Sequence, residues 1–192
     1  MSGPPDQVVA SIRASVAVLA SLEAKADAVA AAAASIVDAL ERGGKLLSAG
    51  HGGSAADAMH IAEELTGRFE GDRPPLPAIS LVADGPLFTC IANDYGFTKL
   101  FPRQVEAHGR AGDVLVFFST SGRGEGLVEA AEIARRRGVT TIGFLGKGGG
   151  DLARCVDHPV VVDSDNTARV QEAHGLLLHL MLEAVERRFG AE

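Results

Sequence analysis

The chain has 192 residues, enough for one domain with a real core, and its 46% apolar and 22% charged residues are those of an ordinary soluble globular protein. A net charge of −7 argues against a nucleic-acid partner. Its one basic block, Arg135-Arg136-Arg137, falls at the end of a predicted helix, where cations suit the helix dipole.

In chain order, residues from about Gln7 to Arg42 read as helix, in two segments or one bent one, ended by Gly43-Gly44. Alanine supplies propensity, and Val8, Ile12, Val16, Leu19, Leu22, Val29, Ile36, Val37 and Leu40 supply an apolar stripe. So little side-chain bulk covers a sheet poorly but packs closely on other helices, which predicts an N-terminal helical arm for oligomerisation. Strand-length apolar runs follow at Lys45–Ala49, Ala78–Val82, Asp113–Phe118, Thr140–Leu145 and Pro159–Val162. Between them lie helical stretches at Ala55–Arg68, Pro86–Ala92, Thr98–Ala107, Gly126–Arg137 and near Asp151–Cys155, and a strong helix from about Thr167 to Phe189 closes the chain. Continuously apolar strands alternating with helices predict an α/β fold: a doubly wound, five-stranded parallel sheet flanked by helices, in a single domain with the arm at about 7–42 and the core at 43–192.

No basic start and apolar run of a signal peptide is visible, and the alanine-rich stretch Ala28–Val37 is too short to span a bilayer. Cys90 and Cys155 lack CxxC spacing and read as reduced thiols, so the expectation is a cytoplasmic chain with no membrane partner.

Ligands of an open parallel sheet collect beyond the carboxyl ends of its strands. Two loops qualify. Gly50-His51-Gly52-Gly53-Ser54 lets backbone approach a ligand and opens a helix whose first N–H groups are free. Ser119-Thr120-Ser121-Gly122 offers three hydroxyls and a helix start, the makings of a phosphate cradle, although an ST-turn capping the next helix has the same composition. Neither the first loop nor Gly146-Lys147-Gly148-Gly149-Gly150 has the spacing of a dinucleotide or Walker A motif. His60 and Glu64 are one turn apart on the same helix face, about 6 Å along the axis, as a surface pair would be, and Glu63 is an equal candidate by spacing alone. On the last helix Gln171, Glu172, His174 and His179 interrupt an apolar pattern, and Gln171 and His179 share a face about 12 Å apart.

The set Gly50-x-Gly-Gly-Ser54-x-x-Asp57-Ala58-x-His60-x-x-x-Glu64-Leu65, Asn93-Asp94-Tyr95-Gly96, Ser119-Thr120-Ser121-Gly122 and Gln171-Glu172-x-His174…His179 resembles the phosphoheptose isomerases, sugar isomerase (SIS) domain enzymes, over nearly the whole chain. The resemblance implies conversion of sedoheptulose 7-phosphate to D-glycero-D-manno-heptose 7-phosphate through an enediol. It implies Glu64 as the base, His179 as its acid/base partner, and Ser119, Thr120 and Ser121 on the phosphate. His51, Gly52, Gly53, Ser54, Arg68, Asn93 and Asp94 would line the sugar site, with Glu64 and Gln171 also touching substrate. It further implies one zinc per subunit on His60, Glu64, Gln171 and His179, and a homotetramer. The rival readings are isomerisation of another ketose phosphate and a non-catalytic tetrameric SIS protein that binds a protein partner.

Three segments depart from the family pattern. His51 stands where asparagine is common, Arg123-Gly124-Glu125 where asparagine and a further serine are usual, and Asp84-Gly85-Pro86-Leu87 where a serine-containing loop is usual. One phosphate hydroxyl is missing, and Arg123 is placed to compensate by charge.

Overall fold

The structure is a computed structural model and describes residues 3–190. Helix α1 (Pro4–Ser21) passes through a 3-10 turn at Leu22–Lys25 into α2 (Ala26–Glu41), the bend the long alanine-rich stretch predicts. The chain then alternates: β1 (Leu46–Gly50), α3 (Gly53–Thr66), β2 (Ala78–Ser80), α4 (Gly85–Tyr95), α5 (Leu100–His108), β3 (Val114–Ser119), α6 (Glu125–Arg136), β4 (Thr140–Leu145), β5 (His158–Val161) and α7 (Thr167–Phe189). In the described residues the strands form one parallel sheet of order β2-β1-β3-β4-β5.

Alternate side chains of each strand bury on opposite faces, as pleating requires. Val114, Val116 and Phe118 of β3 and Ile142 and Phe144 of β4 join α2, α3 and α7 in one core, while Leu115 and Phe117 join α5 and α6 in the other. Strand β2 is shorter than its apolar run and only partly buried, because it is an edge with a single neighbour. The short stretch after Gly150 is a 3-10 turn at Leu152–Arg154.

The expected arm splits in two. No residue of α1 is buried, and Val8, Val9, Ile12 and Val16 lie exposed along it. Helix α2, by contrast, buries Val29, Ala32, Ala33, Ile36, Ala39 and Leu40 in the main core. The reading that alanine covers a sheet poorly is corrected here. Small side chains let α2 settle close to β1, β3 and β5 beside α7, and Ile36 and Leu40 fill the gap.

Strand order reverses direction between β1 and β3, whose carboxyl ends are level, Gly50 opposite Phe118. Such a switch point opens a crevice between two neighbouring loops. Both glycine- and serine-rich loops leave the sheet there.

Candidate active site

The loop after β1 turns sharply at Gly52, with φ at +59°, a conformation that favours glycine, and α3 begins at the next residue. Gly53 is needed for another reason: a side-chain carbon there would collide with the Gln171 amide of α7, so Gln171 rests directly on the loop. Ser54, in the first turn of α3, is buried.

The loop after β3 is braced from within. Ser119 Oγ accepts from Gly122 N–H at 3.0 Å, and Ser121 Oγ from Arg123 N–H at 3.4 Å. Gly122, at φ +63°, lies against the backbone of Gly149 and Gly150, and a side chain there would strike Gly149. The glycine run after β4 is therefore the buttress of this loop. Together the two loops enclose a cavity of about 120 Å³ lined by His51, Ser54, Phe118, Ser119, Thr120, Ser121, Gly124 and Leu127. It is small and largely polar. Hydroxyls, the backbone around them and the N-termini of α3 and α6 make it suitable for a tetrahedral oxyanion.

A second cluster lies along α3. His60 Nε2 is 3.3 Å from Glu64 Oε1, and one donor atom from each of His60, Glu63 and Glu64 falls within a 4.8 Å span. From α7, the His179 ring stands edge-on to His60, centroids 5.3 Å apart, and stacks on Phe69 at 5.8 Å. Imidazoles and carboxylates converging in this way are the donor set zinc favours. Among the described residues, His60, Glu63 and Glu64 bring their donor atoms close enough to hold a metal ion, with the His179 ring of α7 beside His60.

The structure thus brings together His51, Ser54 and Ser119–Ser121 around one cavity, and His60, Glu64 and His179 in one cluster. Gln171 rests on Gly53 beside the first, and Arg68, Asn93 and Asp94 join neither. Arg68 is exposed, because α3 ends at Thr66 and not at Arg68. Asn93 and Asp94 lie in the last turn of α4, which runs on to Tyr95, and they bond to each other at 2.7 Å rather than to either cluster.

Two residues to which the sequence assigns no role stand out here. Asp57, one turn before His60, has a carboxylate oxygen shut from solvent without a partner. Burial pushes its carboxyl up to about 6, against the opposing pull of His60. Its i−3 spacing from His60 was the available signal. Arg73, in what reads as a plain Pro-rich loop, is fully buried and bonds the carbonyls of Glu64 and Leu65 at 2.6 and 2.8 Å. Only the fold reveals that.

Known proteins resemble this chain in sequence and in backbone. A model of the SIS domain matches residues 11–146. A phosphoheptose isomerase from Geobacter sp. (strain M21) is 44% identical over 183 residues, 95% of each chain. One from Roseiflexus sp. (strain RS-1) is 45% identical, covering 97% of this chain and 98% of that one. The chain belongs to the phosphoheptose isomerase family. Its backbone agrees with that of the Neisseria gonorrhoeae phosphoheptose isomerase structure at a TM-score of 0.89, with 38% identity over 96% of this chain and all of that one. The doubly wound five-stranded sheet with helices on both faces is the SIS fold of this family.

Proposed function

We propose that the chain isomerises sedoheptulose 7-phosphate and D-glycero-D-manno-heptose 7-phosphate. The carrying observation is the juxtaposition of an oxyanion-sized cavity at the β1/β3 switch point with a carboxylate–imidazole cluster, in a member of the phosphoheptose isomerase family. The phosphate would be held by Ser119, Thr120 and Ser121, with Ser54 and the backbone of Gly52 and Gly53 completing that end. Anchoring the far end of the sugar fixes where its reacting carbons lie. Glu64, on a rigid helix, would take the proton from one of C1 and C2 while the C–H electron pair forms the enediolate double bond. It would then return the proton to the other carbon. His179, from the facing helix, would give and take the proton on the oxygens, as imidazole does near neutral pH. Gln171 would hold a sugar hydroxyl over Gly53, and Arg68, Asn93 and Asp94 are assigned to the sugar by family likeness. Zinc, one per subunit, would be held by His60, Glu64, Gln171 and His179; it would either supply Lewis-acid polarisation of the substrate oxygens with Glu64 loosely bound, or serve a regulatory or structural role.

The assembly we propose is a homotetramer. The exposed apolar side of α1 continues into a groove of about 670 Å³ among α1, α2 and α7, lined by Val16, Leu19, Val29, Ala33, Leu176 and Leu180. Such a contiguous apolar surface is characteristic of a subunit interface. No described helix is long and apolar enough to cross a membrane. A cytosolic location fits that and the phosphorylated substrate.

The test is NMR of sedoheptulose 7-phosphate in D₂O. Aldoheptose 7-phosphate should form, with deuterium entering at the sugar carbons. Glu64→Gln and His179→Ala should each lower turnover by roughly 10²–10⁴-fold. Absence of product and exchange, with and without added zinc, would remove the heptose assignment in favour of another ketose phosphate.

A further inference from the structure

The structure gives His51, just after β1, an aromatic setting beside the polar cavity. Its ring stacks on Phe97 with centroids 5.1 Å apart and planes at 24°, and meets the edge of Phe101 at 4.9 Å. Phe88 closes the same aromatic group, 6.5 Å from Phe97 and 6.2 Å from Phe101. A side-chain carbon at Gly124 would sit 3.7 Å from His51 Cε1, so the ring also borders the start of α6. One side of this clamped ring forms part of the wall of the cavity that holds Ser119, Thr120 and Ser121.

We propose that His51 reads the charge of the phosphoryl group: its imidazole takes a proton from solvent when a doubly charged tetrahedral oxyanion enters the cavity, and returns it when the anion leaves. This rests on the reading of that cavity as the phosphate end of the site. The empty cavity keeps the ring neutral, because burial among phenyl rings disfavours the imidazolium and holds His51 below the usual histidine range. The positive end of the α6 dipole beside it acts in the same direction. A dianion reverses both effects, since the imidazolium then makes a charge-assisted hydrogen bond in a site of low dielectric.

Charged neighbours leave this to the anion. Asp94 of α4 is engaged with Asn93 and Cys90, and Lys99 ahead of α5 pairs with Glu129 of α6 at 2.6 Å. Arg123 and Glu125 at the start of α6 are exposed, and Asp57 on α3 is coupled to His60. Burial alone shifts His51. The chain thus has, at position 51, a group whose charge follows that of its ligand. That favours fully ionised phosphomonoesters over neutral or singly charged analogues of the same shape.

Sulfate is the suitable probe, because it stays doubly charged while the protein titrates. Calorimetric titration of sulfate into the full-length protein near neutral pH, in two buffers of different ionisation heat, counts the protons taken up. Uptake is expected in the wild type and not in His51→Asn. Wild-type affinity should rise roughly tenfold between about pH 8 and about pH 5.5, against less than about twofold in the variant. Arg123→Asn should weaken binding at every pH and leave proton uptake in place. The His51 ring signal of the wild type, followed by NMR, should move toward the imidazolium position as sulfate is added, a readout independent of any variant's folding. No sulfate binding, no uptake, or uptake that persists in a folded His51→Asn protein would overturn the proposal. Heptose turnover without anion-linked protonation would sink only the His51 assignment. Anion-linked protonation without turnover would sink only the isomerase reading.

Discussion

His174 lies wholly inside the main core, edge-on to Phe118 at 6.0 Å, and neither of its ring nitrogens has a hydrogen-bond partner. Burial lowers its pKa from 6.5 to about 4, against the opposing pull of the Leu145 carbonyl. The unfolded chain therefore binds a proton between those values that the folded chain refuses. Stability present above pH 6.5 is lost as pH falls toward 4, a loss of roughly 3 kcal/mol. Urea unfolding at about pH 7.5 and about pH 4.5 should show this slope in the wild type, and His174→Gln should flatten it. Asp57 runs the other way. Its carboxyl is raised from 3.8 to about 6, so it contributes stability at low pH that is lost as pH rises through 6. In metal-free protein Asp57→Asn should gain about 1–2 kcal/mol at neutral pH, discounted for the half of the side chain that water reaches, and nothing at about pH 3. Unchanged neutral-pH stability would refute that. Both residues stand in the family pattern of the sequence, but their energetics come from burial, which spacing does not encode.

At the scale of elements, the sequence predicted the five strands and the alternation of helices because parallel strands buried on both faces read as unbroken apolar runs. It misjudged α2, because alanine is equally suited to a close helix–sheet contact and a helix–helix seam. Position decides: Ile36 and Leu40 are buried in the main core, whereas Ile12 and Val16 on α1 stay largely exposed. The two helices should respond differently to mutation. Ile36→Ala should cost about 2–5 kcal/mol in urea unfolding, as a buried cavity does. Val16→Glu should leave monomer stability nearly unchanged but dissociate the assembly in sedimentation experiments. A tetramer that survives Val16→Glu would show that α1 is not at the interface. Asn93, Asp94 and Arg68 mark the limit of legibility at this scale. Family likeness assigns them to the site, but within one subunit they are exposed, and Asn93 bonds to Asp94.

Across the whole molecule, the proposed proton-transfer residues sit on two helices that do not follow each other in sequence, so their separation depends on what locks α3 to α7. Arg73 is that lock. Its guanidinium caps the C-terminal carbonyls of α3 at Glu64 and Leu65 and meets Glu186 of α7 at 3.2 Å. Glu186 also accepts from Gly71 N–H at 2.7 Å, and it lies seven residues, two turns, beyond His179 on the same helix. The pair therefore sets where Glu64 stands relative to His179 without touching either side chain. Replacing a buried guanidinium leaves those carbonyls and a largely buried carboxylate unpaired, so Arg73→Leu should cost about 3–5 kcal/mol in stability. Arg73→Lys should recover only part of it, since an ammonium cannot reach the carbonyls of Glu64, Leu65 and Pro74 and the Glu186 carboxylate together. Function should split in an informative way. The proposed phosphate cavity is built from the loops after β1 and β3, neither of which supplies this lock, so sulfate affinity should stay within about twofold of the wild type. Turnover should fall by at least about tenfold in Arg73→Lys, because a small displacement between base and partner acid is enough. If kcat were unchanged in a variant that had lost the expected stability, Arg73 would be a fold residue only, and the geometry of the α3–α7 cluster would have to be held by the metal.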